Sequence, residues 1–115
     1  MEVALTPEEQ ARGLMWRTQL AEDHGMLFML DAQQPACFWM LNTPLALSIA
    51  FFDQQWQLLE YFDMTPWSRQ IHCAQHSAHY AVEVNQGWFQ QRQIEIGQPW
   101  QLNWLNDFSL NDGSP

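Results

Sequence analysis

The sequence predicts a mainly β fold, a β-sandwich or partly open barrel with one short helix near the N-terminus. Three observations carry this expectation. Short apolar runs recur with turn residues about every ten positions. Several runs alternate large and small or polar residues with the two-residue period of a strand. Only one place in the chain carries the marks of a helix start.

Residues 2–5, EVAL, read as a short strand. In the following TPEEQARGLMWR, Thr6 is placed to cap a helix, Pro7 to occupy its first turn and Glu9 to complete a capping box. Glu8 and Glu9 also suit the positive end of the helix dipole, and Gly13 ends the helix early. The runs MLFML (26–30) and CFWML (37–41) are strands separated by a turn containing Pro35.

Residues 45–53 alternate most clearly. Leu45, Leu47, Ile49 and Phe51 fall on one face, with Ala46, Ser48 and Ala50 on the other. Asp53, Gln54 and Gln55 then turn the chain into WQLLEYF (56–62), and 64–70 reads as loop. In HYAVEV (79–84), Tyr80, Val82 and Val84 oppose His79, Ala81 and Glu83. QIEI (93–96) and WQLNWL (100–105) complete about seven or eight strands. No repeat or linker interrupts the chain, so residues 1–106 are expected to form one domain and 107–115 a polar tail.

The 115 residues, 47% of them hydrophobic, suit one domain with one core. The formal net charge is −9; there is no lysine, and the cations are Arg12, Arg17, Arg69 and Arg92. Binding a polyanion needs a basic face, so this balance argues against nucleic acid and against anionic membrane surfaces. No apolar run approaches the roughly 18 residues of a membrane span, and no signal peptide is recognisable. The expected location is cytoplasmic by default, or exported if an upstream segment has been removed. Seven tryptophans in so short a chain either fill a β core or form an exposed platform, for which Trp56, Trp67 and Trp88 are candidates.

The order EVA, TPEEQARGLMWR, EDHGMLFML, FWMLNT, FFD, VEVNQGW and IG resembles the family called domain of unknown function 192. The resemblance spans about Glu2 to Gly97, with GLM-x-R, GML-F and FWM-x-NT as its most specific parts. It implies a compact, jelly-roll-like β fold, and no established activity. Many relatives look exported. Three positions depart from the family pattern: Leu41 stands where lysine is usual, Ala46-Leu47-Ser48 where proline-leucine-aspartate is usual, and Gly97-Gln98 where glycine-aspartate is usual. Chemistry that used that lysine as an acid, base or electrophile cannot operate here.

The resemblance brings Met15, Arg17, Met26, Trp39, Met40, Asn42, Thr43 and Glu83 together as a tentative ligand-binding set. Methionine and tryptophan suit an adaptable apolar wall, Asn42 and Thr43 could orient a ligand by hydrogen bonds, and Arg17 could clamp a carboxylate. A structural reading is equally coherent. The methionines then fill the core, Arg17 caps carbonyls or pairs with Glu83, and Asn42-Thr43 closes a turn.

His72, Cys73, His76 and His79 are weak candidates for metal ligands, because a strand beginning near His79 scatters them. Cys37 lies in an apolar run and reads as a small buried hydrophobe, with a bond to Cys73 left open. No cofactor is expected, since no phosphate-binding glycine loop, dinucleotide fingerprint or nucleophile elbow is present. The leading expectation is a non-enzymatic module binding a small ligand or peptide in a cleft near FWMLNT. The alternative is a partner-binding or assembly factor using exposed tryptophans, and an enzyme comes third.

Overall fold

The computed structural model describes residues 2–101. It is mainly β. Strands β1 (Glu2–Ala4), β2 (Met26–Met29), β4 (Leu47–Phe52), β5 (Leu58–Met64) and β7 (Tyr80–Asn85) form a mixed sheet in the order β1-β2-β7-β4-β5. Strands β3 (Cys37–Phe38) and β6 (His72–Cys73) form a second, two-stranded sheet. The helices are α1 (Pro7–Arg12) and α2 (Trp88–Gln91). The described elements form an open, layered arrangement and not a closed barrel.

Local sequence explains α1. The Thr6 hydroxyl accepts from the Glu9 amide at 3.0 Å, and the Glu9 carboxylate accepts from the Thr6 amide at 2.9 Å, which completes the capping box. The helix buries none of its residues, so this cap and tertiary ties must hold it. Gln10 supplies two such ties, donating to the carbonyls of Ala4 and Met29 on adjacent parallel strands.

The alternation in β4 sorts residues as expected, but both faces are buried. Leu47, Ile49 and Phe51 join one apolar cluster with Phe28, Met40, Met64 and Ala81. Ala50 and Phe52 join another with Leu27, Val82, Val84, Trp88 and Phe89. A central strand with both faces covered needs no polar side, which is why Ser48 is fully buried. Its hydroxyl donates to Asp63 at 2.7 Å on the neighbouring strand.

The second cluster is closed by α2 and the segment after it. Trp88 donates its indole N–H to the Glu22 carbonyl at 3.0 Å, and Asn85 donates to the Leu20 carbonyl at 2.7 Å. Together these bonds anchor the long connection between α1 and β2. The other face is covered by the β3–β6 pair, from which Phe38 packs against Phe28 and Phe51 at ring separations of 4.9 and 5.7 Å.

Several expectations are corrected. A second helix, α2, exists where only one was expected. Residues 93–96 are not a strand: Gln93 adopts a positive φ of 58°, and Ile94 is buried while Ile96 is exposed. Trp100 is not in a strand either; 102–105 and the tail 107–115 lie outside the described residues. Residues 72–73, for which no strand was expected, form β6. Cys37 is exposed and bonded to Cys73, directly opposite it in the β3–β6 register. Trp88 is 1% exposed and Trp56 stacks on Tyr80 at 4.0 Å, so neither offers the free surface expected of it. No helix among the described residues is long and apolar enough to cross a membrane.

Candidate functional site

A cleft of about 380 Å³ opens over the face of the sheet that carries β3 and β6. One wall comes from the end of α1 and the turn after it, with Gln10, Arg12, Gly13 and Met15. The opposite wall comes from Asp31 and Gln34, followed by Cys37, Phe38 and Trp39. Phe28, Thr43 and Glu83 also line it.

Glu83 is the unusual member. It sits on β7, the middle strand of the sheet, directly opposite Met26 on one side and Ile49 on the other. Its neighbours are therefore apolar, and it is only 4% exposed. The carboxylate Oε1 has no hydrogen-bond partner among the described residues. Burial pushes its pKa from the ordinary 4.5 up to about 8, because the charged form has lost water without gaining a cation. Glu83 is thus mainly a neutral carboxylic acid near pH 7, with both donor and acceptor capacity.

The turn over Glu83 depends on Gly13. Its φ of 49° and ψ of −126° lie where side-chain-bearing residues rarely go. Its amide donates to the Glu9 carbonyl at 2.9 Å, ending α1 so that the following residues cross above the carboxyl group.

The expected set divides in two. Met15, Trp39, Thr43 and Glu83 line the cleft. Met26 and Met40 are buried in the core, with Met40 wholly inaccessible. Arg17 does not reach Glu83; it forms a two-pronged ion pair with Glu2, one contact being 2.6 Å. The hydrogen bonds from Arg17 hold the Glu2 carboxyl below its ordinary range. Asn42 is half-buried outside the cleft lining, with a positive φ of 55°. It belongs to a turn: its carbonyl accepts from the Trp16 amide at 2.7 Å, and the Thr43 carbonyl accepts from the Trp67 amide at 3.0 Å. The Thr43 hydroxyl donates to the Leu41 carbonyl at 3.0 Å.

The histidine segment is dispersed. Cys73 is held in the disulfide and His76 pairs with Glu60 at 2.7 Å. His72 lies on β6 beside Phe62, and His79 packs near Tyr80. Among the described residues no three potential ligands gather around one point.

Sequence reasoning named Glu83 but missed what surrounds it. Gly13, Cys37 and Asp31 were not anticipated as cleft residues. A carboxylate in the same alternating run as Val82 and Val84 was the available signal, since a central strand has no solvent face.

A mainly β chain with an open cleft over a buried carboxyl group defines a class of small domain; its family follows from comparison. The domain of unknown function 192 model, described as an uncharacterized ACR, matches residues 1–102. The chain belongs to this family. It is similar to the crystal structure of a candidate transcription regulator from Sinorhizobium meliloti 1021, at 31% identity and a TM-score of 0.78, covering 84% of this chain and 75% of that one. It is equally similar to a protein of unknown function from Novosphingobium aromaticivorans DSM 12444, at 32% identity and a TM-score of 0.79, covering 84% and 69%. No curated protein matches.

Proposed function

We propose that this domain is a binding module that holds a small organic ligand in the cleft over Glu83. The observation that carries the reading is a carboxyl group buried in an apolar floor with one oxygen unpartnered among the described residues. Leaving such a group unsatisfied costs about 1–3 kcal/mol, and a ligand that met it would recover that loss. The cleft sets the apolar and aromatic side chains of Met15, Phe28, Phe38 and Trp39 beside the polar ones of Gln10, Arg12, Asp31 and Gln34, a mixture that can both cover and orient a small ligand.

Binding is favoured over catalysis by the company Glu83 keeps. A raised carboxyl pKa suits acid–base work, but the two nucleophile-type side chains lining the cleft are committed elsewhere. Cys37 is in the disulfide, and the Thr43 hydroxyl is bonded to the backbone. The similarity to a candidate transcription regulator does not extend to DNA contact in this reading, because the net charge of −9 opposes it. The exposed disulfide supports the exported alternative, since such bonds persist mainly in oxidising compartments.

The test is a fragment screen by protein-observed NMR, following the Trp39 indole and the Glu83 and Gly13 amides. Hits should perturb these signals together. Hits confined to other surfaces, or none at millimolar concentration, would remove the reading.

A second reading, partner docking, is supported by one feature. Trp16 and Trp67 are 64% and 56% exposed and meet edge to face at 6.3 Å. Both have positive φ, 67° and 66°, an uncommon conformation for a bulky residue. Serine at both positions should abolish partner capture and leave cleft binding intact.

A further inference from the structure

We propose that the cleft selects ligands bearing an ammonium group, which is seated on the Glu83 carboxylate while an apolar body lies against the aromatic wall. This rests on the cleft being a ligand site and names the class of ligand.

No cation or other donor among the described residues meets Oε1 of Glu83. A buried carboxylate is normally matched by arginine, lysine or several N–H donors. The residue that sequence placed nearest this role, Arg17, is turned to Glu2 instead. The charged side chains lining the cleft besides Glu83 are Arg12, from the last turn of α1, and Asp31, from the segment after β2. The neighbouring strands present Met26 and Ile49 to Glu83, and β3 presents a disulfide. An ammonium group therefore brings to Oε1 of Glu83 the donors and charge that no described residue places there.

Four further features point to the same class. Phe28, Phe38 and Trp39 line the cleft, and aromatic rings attract a cation at their faces and cover an apolar chain. A carboxylate ligand would meet Asp31 and Glu83 with only Arg12 in its favour. The chain's net charge of −9 concentrates cations and repels anions. The volume of about 380 Å³ suits a small amine.

Proton balance gives the proposal a signature. In the empty cleft near pH 7 the carboxyl group holds its proton, because burial has raised its pKa to about 8. An ammonium ligand binds the ionised form, so one proton passes from Glu83 to solvent on binding. Affinity should then rise by up to roughly tenfold per pH unit below that pKa and level off above it, while the amine itself stays protonated.

The experiment is isothermal titration calorimetry of the whole chain with 2-phenylethylamine, 2-phenylethanol and phenylacetate at pH 6, 7 and 8. Each titration is run in two buffers of different ionisation enthalpy. The amine should bind at least tenfold more tightly than the other two, release close to one proton at pH 6, and tighten as pH rises. Glu83→Gln should remove both the preference and the proton release. Glu83→Met, which completes the apolar floor, provides a second variant should the first fail to fold.

The proposal is overturned if the alcohol or the carboxylate binds as well as the amine, or if amine affinity does not change with pH. It is equally overturned if Glu83→Gln binds the amine as the parent does, or if the amine does not bind. In each case the NMR screen decides separately whether the cleft still takes some other ligand.

Discussion

The Oε1 atom of Glu83 lies 3.5 Å from the point where a side chain on Gly13 would begin. The distance is ordinary van der Waals contact, so a methyl group there would fit against the carboxyl and close off one approach to it. The backbone at Gly13 would object more strongly, since its φ of 49° disfavours any side chain. Gly13→Ala should therefore lower stability by about 1–3 kcal/mol and reduce access to Glu83. Thermal unfolding checks the first effect and ligand titration the second. An unchanged melting temperature would show that the turn relaxes freely.

Glu83 should make stability depend on pH in a definite direction. Its folded pKa is about 8 against an ordinary 4.5, so the folded state binds more protons between those values. Stability from this group is full below about pH 4.5 and is lost as pH rises through about 8, with a slope approaching 1.4 kcal/mol per unit. Glu83→Met should flatten that part of the profile and raise stability at pH 7 by about 1–2 kcal/mol. Chemical denaturation at several pH values gives the comparison. Parallel profiles for parent and variant would mean that Glu83 is already ionised.

The Cys37–Cys73 bond closes a separation of 36 residues and clamps the two short strands that cover the cleft side of the sheet. Restricting the unfolded chain over such a loop is worth about 2–4 kcal/mol. Serine at both positions, or a reductant, should lower stability by that order. Thiol titration of the native protein should find no reactive group at either cysteine until reductant is added.

Asn42 is expected to serve its turn and not the ligand. Its φ of 55° is tolerated by asparagine and glycine but costs other residues about 1–2 kcal/mol. Asn42→Ala should be destabilised by about that amount, whereas Asn42→Gly should remain close to the parent. Neither should alter ligand affinity. Loss of binding in a stable Asn42→Gly protein would return the side chain to the site.

The sequence showed the strands well where two-residue alternation met long apolar runs, as in 47–52 and 80–85. It showed α1 because its cap is local, resting on Thr6 and Glu9 alone. What it concealed depended on distant partners. Nothing local says that Cys37 and Cys73 face each other, or that β6 exists, because a two-residue strand is defined by its neighbour. Alternation in 93–96 puts Ile94 and Ile96 on one strand face, yet a backbone turn there buries the first and exposes the second. Arg17 and Glu83 looked like partners by charge; the fold instead gives Arg17 to Glu2 and leaves Glu83 over the sheet centre.

The two-sided sheet also divides the six tryptophans among the described residues into optical reporters, Trp104 lying outside them. Trp56, Trp88 and Trp100 belong to one buried cluster, where Trp88 and Trp100 stack within 11° of parallel. Trp16, Trp39 and Trp67 are solvent-accessible, and Trp39 lines the cleft. Emission from the first group should lie to the blue and resist quenching, and emission from the second should lie to the red and be quenched by iodide. One native fluorescence spectrum can then report the integrity of one face and the occupancy of the other.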